Sequence, residues 1–261
     1  MEYIHLLGTG SGIPVGNRLP TASLCQTQAE QILVDAGEGC TYRLLHLGYQ
    51  PADIDVVFIT HAHSDHIAGL PLFLQSCWLA KRTKPLRVVM PQEIIHRFQA
   101  WLATVYLGET LFDFAIHWED WESQPQLSLA GDWQVSRYPT THLDSLCQKL
   151  APNEASRFRA YSLLFEHSTE GTFAFSGDIG RADEVAPLIE KPLKFFLCEL
   201  SHFHPPDLMT ALSEAHIQQL VITHLFPGLD EAPYSWLIEF QAGLKNTQSV
   251  KLAEDKLKLT F

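Results

Sequence analysis

The apolar run Val56-Val57-Phe58-Ile59 gives way, one residue on, to His61-Ala62-His63-Ser64-Asp65-His66. Three imidazoles and a carboxylate thus fall within six positions. A packed core gains nothing from so many polar rings in one place, whereas a divalent cation gains a set of donors. The β-rich run predicts a strand over Val56–Thr60, with the polar residues beginning at its end. Residues 61 and 63 share a side only while the chain stays extended. Asp65 and His66 then fall in the turn that opens the next helix. Adjacent residues face different ways, so the string can serve two ions rather than one. Imidazole nitrogens with a carboxylate oxygen suit zinc first and manganese second.

Short β-rich runs alternate with helical patterns throughout, as in α/β proteins. Strands are expected at Tyr3–Leu7, Thr21–Gln26, Gln31–Asp35, Val56–Thr60, Leu86–Met90, Trp133–Tyr138, Ala160–Glu166, Thr172–Ser176, Lys194–Glu199 and Gln219–Thr223. Helices are expected at Cys40–Leu47, His66–Lys81, Gln92–Leu102, Ala182–Ile189, Pro206–Gln218 and Ala232–Ala242. Asp144–Arg159 reads either as a short helix and loop or as an insertion over the site. No break argues for a second domain, so 1–261 is expected to form one. Three strands run towards further candidate ligands: Trp133–Tyr138 to His142, Thr172–Ser176 to Asp178, and Gln219–Thr223 to His224. Each follows a β-rich run, so all can converge on one sheet edge.

With this pattern assembled, the sequence resembles the metallo-β-lactamase superfamily. His61-Ala62-His63-Ser64-Asp65-His66 matches its HxHxDH motif, and "TTH" at 142, "FSGD" at 178 and "THL" at 224 fit its later ligand positions in order. The resemblance implies a four-layer αββα sandwich with a two-metal site at one edge. It also implies that His61, His63 and His142 hold one ion, that Asp65, His66 and His224 hold the second, and that Asp178 bridges them. Within the superfamily, "LLGTGSGIPVGNR", "VDAGEG" and "DHIAGLP" resemble the tRNase Z-like branch. Such glycines allow tight turns near a ligand, and exposed N–H groups can receive phosphate oxygens. Ser11, Gly12 and Arg18 are the substrate-binding candidates.

The chain also departs from that branch. About 18 residues separate His142 from the strand expected at Ala160, too few for the long arm that grips tRNA. The P-x-K-x-R-N loop reads Pro14-Val15-Gly16-Asn17-Arg18-Leu19, and the HEAT motif reads Cys198-Glu199-Leu200-Ser201. The last ligand is followed by Leu225-Phe226-Pro227 where a Ser-containing motif is usual. A cysteine thus replaces the histidine proposed as proton donor, and His202 or His204 stands ready to replace it, with Glu199 as an orienting partner. The resemblance therefore implies a dinuclear phosphodiesterase in which a hydroxide shared by the ions attacks phosphorus and Asp65 holds its proton. A small-molecule or short RNA phosphodiester is the expected substrate, rather than full-length tRNA. Other esters (thioester, lactone, sulfate ester, β-lactam) and a non-catalytic metal-binding scaffold stay open, because fold alone does not choose the bond. The apolar helix Leu70–Leu79 is expected to be mostly core, and in the resembled branch this region helps form a homodimer.

Composition narrows the setting. Lys and Arg number 18 against 30 Asp and Glu, and the formal charge of −12 disfavours a generic nucleic-acid surface. Cys25, Cys40, Cys77, Cys147 and Cys198 are odd in number and include no CxxC pair, which fits free thiols in a reducing cytosol. The start MEYIHLLGTG lacks the features of a signal peptide. The longest uncharged stretch, the 14 residues Ile67–Ala80, is too short for a bilayer. The expectation is a cytoplasmic chain with no membrane partner.

Overall fold

A computed structural model describes residues 3–13, 16–150, 158–226, 228–229 and 234–260. Pro14, Val15, Pro227, the start of the Ala232–Ala242 helix and residues 151–157 of the Asp144–Arg159 segment lie outside them. The chain divides into two compact units, residues 1–125 with 254–261 and residues 126–253.

The first unit is built on β1 (Tyr3–Gly8), β2 (Ala22–Gln26), β3 (Gln31–Val34), α1 (Cys40–His46), β4 (Val56–Phe58), α2 (Ser64–Ile67), α3 (Leu70–Leu79), β5 (Leu86–Met90), α4 (Gln92–Thr104) and β6 (Ile116–Asp120). β1, β2 and β3 pair antiparallel, and β3, β4, β5 and β6 pair parallel. Val56, Val57 and Phe58 are all buried, as a parallel strand covered on both faces requires. Leu33, Val57 and Val88 meet Leu44, Phe73 and Phe98 of the helices in one apolar cluster. Each such side chain taken fully from water contributes about 1.5–3 kcal/mol.

The second unit contains β7 (Gln126–Ser128), β8 (Gln134–Thr140), α5 (Asp144–Leu150), β9 (Ala160–His167), β10 (Gly171–Phe175), a 3-10 helix (Ala182–Leu188), β11 (Leu193–Leu200), α6 (Pro205–Ala211), β12 (Ile217–Leu225), α7 (Ser235–Gly243) and β13 (Thr247–Leu252). Its sheet runs in spatial order from β13 to β7. β7 to β10 pair antiparallel and β10 to β13 parallel. Phe196, Leu220 and Val250 pack with Val185, Leu208 and Phe240. The chain then returns to the first unit as β14 (Lys258–Thr260), antiparallel to β1. Asp255 fastens that return by accepting the N–H groups of Thr9 (3.0 Å) and Leu19 (2.8 Å) and the Arg43 guanidinium (3.0 Å).

Several expectations are corrected. The helix expected over His66–Lys81 is two helices, because Gly69 interrupts it with its N–H on the Ala36 carbonyl, 2.8 Å away. The Pro206–Gln218 helix stops at Ala211, and β12 already begins at Ile217. Ala182–Leu188 is 3-10 rather than α, with Pro187 inside it. Asp144–Leu150 forms a helix. β6, β7, β13 and β14 were not expected; they are short or carry the polar side chains of edge positions. No described helix is long and apolar enough to cross a membrane.

All five cysteines are free, and all but Cys147 are buried. Burial pushes the Cys40 thiol up to about 11 and the Cys77 thiol up to about 12, and raises Cys25 and Cys198 as well. Those four stay protonated near pH 8, and the thiolate is the reactive form. Iodoacetamide at pH 8 should therefore label Cys147 alone in the folded protein and all five in denaturant, read by mass spectrometry. A second native label would contradict this core.

Candidate metal centre

Strand direction sets the two halves of the site. In the first unit β1, β3 and β4 point the same way, since two antiparallel steps restore direction. Their carboxyl ends therefore bring Thr9–Gly12, Asp35 and the 61–66 cluster to one sheet edge, where open α/β sheets place ligands. Trp121 secures the exit from β4: its indole N–H donates to the Ile59 carbonyl at 2.8 Å. His63 is the N-cap of α2, with Asp65 and His66 in its first turn. The His61 ring centroid lies 4.1 Å from that of His66 and 4.8 Å from that of His63.

Asp35 organises this cluster. It takes a left-handed φ of 57°, a region that Asp tolerates better than most residues. Its carboxylate accepts a 2.7 Å bond from His66 Nδ1 and bonds from the N–H (2.8 Å) and hydroxyl (3.0 Å) of Thr60. The Thr60 oxygen in turn lies 3.1 Å from His61 Nδ1. With its hydroxyl proton committed to Asp35, it accepts from His61. Both rings are held by Nδ1, so Nε2 is the nitrogen that could hold a metal. The first glycine of "VDAGEG" serves packing: a Cβ at Gly37 would overlap the Asp65 carbonyl and press on Pro20.

In the second unit β8, β10, β11 and β12 point the same way. His142 lies two residues beyond β8, and Asp178 three beyond β10. His224, expected just past a strand, lies inside β12. Glu199 pairs with Thr223 and Leu200 with Leu225, so His224 is the extra residue of a β-bulge, at φ 50°. A bulge re-aims a side chain without ending the strand. Asp178 sits between two imidazoles: Oδ2 is 3.5 Å from His142 Nε2 and Oδ1 is 3.6 Å from His224 Nε2. His66 Nε2 stands 3.6 Å from Asp65 Oδ2 in the first unit. These gaps exceed the ~2.7–2.9 Å of a charge-assisted hydrogen bond. They lie close to the spacing of about 3.3–3.5 Å between donors on a tetrahedral ion with ligand distances near 2.0–2.1 Å. The donor sets fit divalent metal.

His202 joins this half. Its ring centroid is 4.4 Å from that of His142, and its donor atom lies within 4.8 Å of those of Asp178 and His224. Glu199 holds it from behind through a 2.7 Å bond to Nδ1, and also accepts the N–H groups of Ile179 and Ser201 at 2.7 Å. Burial pushes the Glu199 carboxyl upwards, and the hydrogen bond from His202 opposes that shift. His204 instead caps α6 with Asp207.

Each half thus gathers its expected ligands: His61, His63, Asp65 and His66 in one, and His142, Asp178 and His224 in the other. Arg18 donates to the Thr9 hydroxyl at 2.8 Å, within a loop closed by the Gly10 N–H on the Leu19 carbonyl. That donor, and the Gly37 N–H on the Thr21 carbonyl, are used inside the protein. Gly12 runs beside Asp65, its Cβ position 3.8 Å from Oδ2. Sequence reasoning passed over Asp35 and Thr60. The signal was present, since Asp35 also follows a β-rich run. Replacing Asp35 by Ala should weaken zinc binding by about 10–100-fold, the usual cost of removing such a partner. Competition with a chromophoric chelator measures it, and unchanged affinity would refute the role.

A family model described as Anti-Pycsar protein Apyc1 matches residues 3–233. Ribonuclease BN of Enterobacter sp. (strain 638) is 43% identical over 98 residues, which cover 36% of this chain and 32% of that protein. The chain thus spans about a third of the length of that curated relative. Among solved structures, the metallo-β-lactamase fold protein YhfI from Bacillus subtilis superposes with a TM-score of 0.76 at 18% identity, covering 99% of both chains. Human tRNase Z, short form, superposes with a TM-score of 0.71 at 20% identity, covering 99% of this chain and 98% of that one. The fold is the metallo-β-lactamase type, two mixed sheets flanked by helices.

Proposed function

The chain belongs to the family described as Anti-Pycsar protein Apyc1, and on that footing we propose that it is a dinuclear metal-dependent phosphodiesterase. The observation that carries this is the spacing of Asp178 from His142 and His224, 3.5 and 3.6 Å, which suits ligands sharing cations. His61, His63 and His142 would hold one ion, Asp65, His66 and His224 the other, and Asp178 would serve both. Two divalent ions, zinc in the first place, would supply an acidified water and positive charge for the phosphoryl oxygens.

The chain's own groups do the rest. Asp65 binds a cation and holds the proton of the attacking water. His202, half-exposed and backed by buried Glu199, protonates the leaving oxygen. The loop carrying Ser11, Gly12 and Arg18 receives the phosphate end of the substrate. Support for phosphodiesters comes from the curated relatives named Ribonuclease BN and Ribonuclease Z. A small-molecule or short RNA substrate fits the charge of −12 better than full-length tRNA does. A cytoplasmic location accords with the free cysteines.

Zinc-loaded protein should hydrolyse bis(p-nitrophenyl) phosphate, lose that activity to a chelator and regain it with added zinc. Asp65→Ala and His63→Ala should fold normally and leave only background hydrolysis. Turnover by metal-stripped protein would contradict the reading. His202→Ala should lower kcat by about 10²–10⁴-fold, the usual contribution of a general acid.

The chain also pairs with a second copy in this reading. Tyr42 and Leu45 on α1 and Leu72 and Leu79 on α3 are 49–65% exposed. Large exposed apolar groups of this kind mark interfaces. Sedimentation equilibrium should give twice the chain mass, and Leu72→Glu with Leu79→Glu should give a monomer. A monomeric unmutated protein would exclude the pairing.

A further inference from the structure

Glu184 belongs to no ligand set, yet it touches both loops that carry the second unit's first two ligands. Its side chain is only 9% exposed. The carboxylate accepts the Thr141 hydroxyl, the Thr141 N–H at 3.2 Å and the Gly180 N–H at 3.1 Å. Thr141 immediately precedes His142, and Gly180 follows Asp178 by two residues. Those loops leave β8 and β10, which are separated in the sheet by β9, so strand pairing does not itself join them.

Two further contacts close the same seam. The Thr140 hydroxyl donates to the Asp178 carbonyl at 2.8 Å. A Cβ at Gly180 would overlap the Thr141 hydroxyl oxygen and stand 3.0 Å from its carbonyl carbon, so the approach of the loops requires glycine there. All three groups on the Glu184 carboxylate are donors. An anion serves such a set best, because an amide would present its own N–H to one of them. The Arg181 guanidinium, 3.6 Å away and 61% exposed, adds little.

We propose that Glu184 is a positioning residue that clamps the His142 and Asp178 loops together and so sets the spacing of that ligand pair. Its effect on metal rests on the two-ion reading above; the clamp itself does not. Metal ligands are commonly oriented by carboxylates behind them. Here the carboxylate acts on backbone and hydroxyl donors one or two residues from each ligand.

The test uses the full chain with Glu184→Ala, Glu184→Gln and Thr141→Val, the last two as milder variants should the first not fold. In metal-free protein, hydrogen exchange at the Thr141 and Gly180 amides should quicken at least tenfold in Glu184→Ala and less in Glu184→Gln, with β9 and β11 protection unchanged. Thr141→Val, which keeps the amide, should shift them least. Unchanged exchange at both amides, or equal acceleration across the whole sheet, would overturn the clamp. Titration with zinc chloride against a chelator should show the ion held by His142 and Asp178 together weakened about 10–100-fold in Glu184→Ala, and the other, which shares only Asp178 with the clamped loops, weakened less. Two ions held as tightly as in the unmutated protein, or both weakened alike, would overturn the positioning role. An unmutated protein that takes up no zinc would instead bring down the two-ion reading, and the exchange result would still judge the clamp.

Discussion

A buried imidazole is useful to a cation only if its lone pair is aimed, and aiming requires a partner on the opposite ring nitrogen. For His61, His66 and His202 that partner leads back to a buried acid. Asp35 holds His66 directly and His61 through the Thr60 hydroxyl. Glu199 holds His202 and, through Ile179, the Asp178 loop. Without such partners the rings would be desolvated polar groups with a cost of about 1–3 kcal/mol each. The acids are satisfied in turn by backbone N–H groups and hydroxyls, so Asp35 and Glu199 each anchor a small network behind the rings they hold.

The sheets deliver these networks. Each runs through antiparallel pairs and then through parallel ones. Strands that agree in direction end at the same edge, so residues far apart in sequence leave their strands side by side. Two site residues also occupy left-handed backbone, Asp35 at φ 57° and His224 at φ 50°. Both positions bend the chain where regular strand geometry would have aimed the side chain elsewhere.

Much of this was legible beforehand, for physical reasons. The 61–66 cluster is dense and local, and buried parallel strands such as Val56–Phe58 print as apolar runs. His142, Asp178 and His224 were found because each follows or ends such a run. The bulge that carries His224 left no mark, since it depends on the register against β11. The edge strands β7, β13 and β14 hid because half their side chains face water. The Gly69 break inside an apolar stretch reflects a backbone contact with Ala36 that no local pattern records. Of the acids behind the ligands, Glu199 was named from the sequence; Asp35 ends a β-rich run, but its partner Thr60 lies 25 residues away, and Glu184 reaches Thr141 across 43, so no local pattern records either contact.

The placement of β14 bears on how the molecule comes into being. The first sheet takes its outer strand, and the Asp255 anchor of the Thr9–Leu19 loop, from residues 254–261. Residues 126–253 are contiguous. Emerging from a ribosome at about 5–20 residues per second, the stretch made second is complete before the one begun first. The unit begun first must wait, partly assembled, until β14 can pair beside β1.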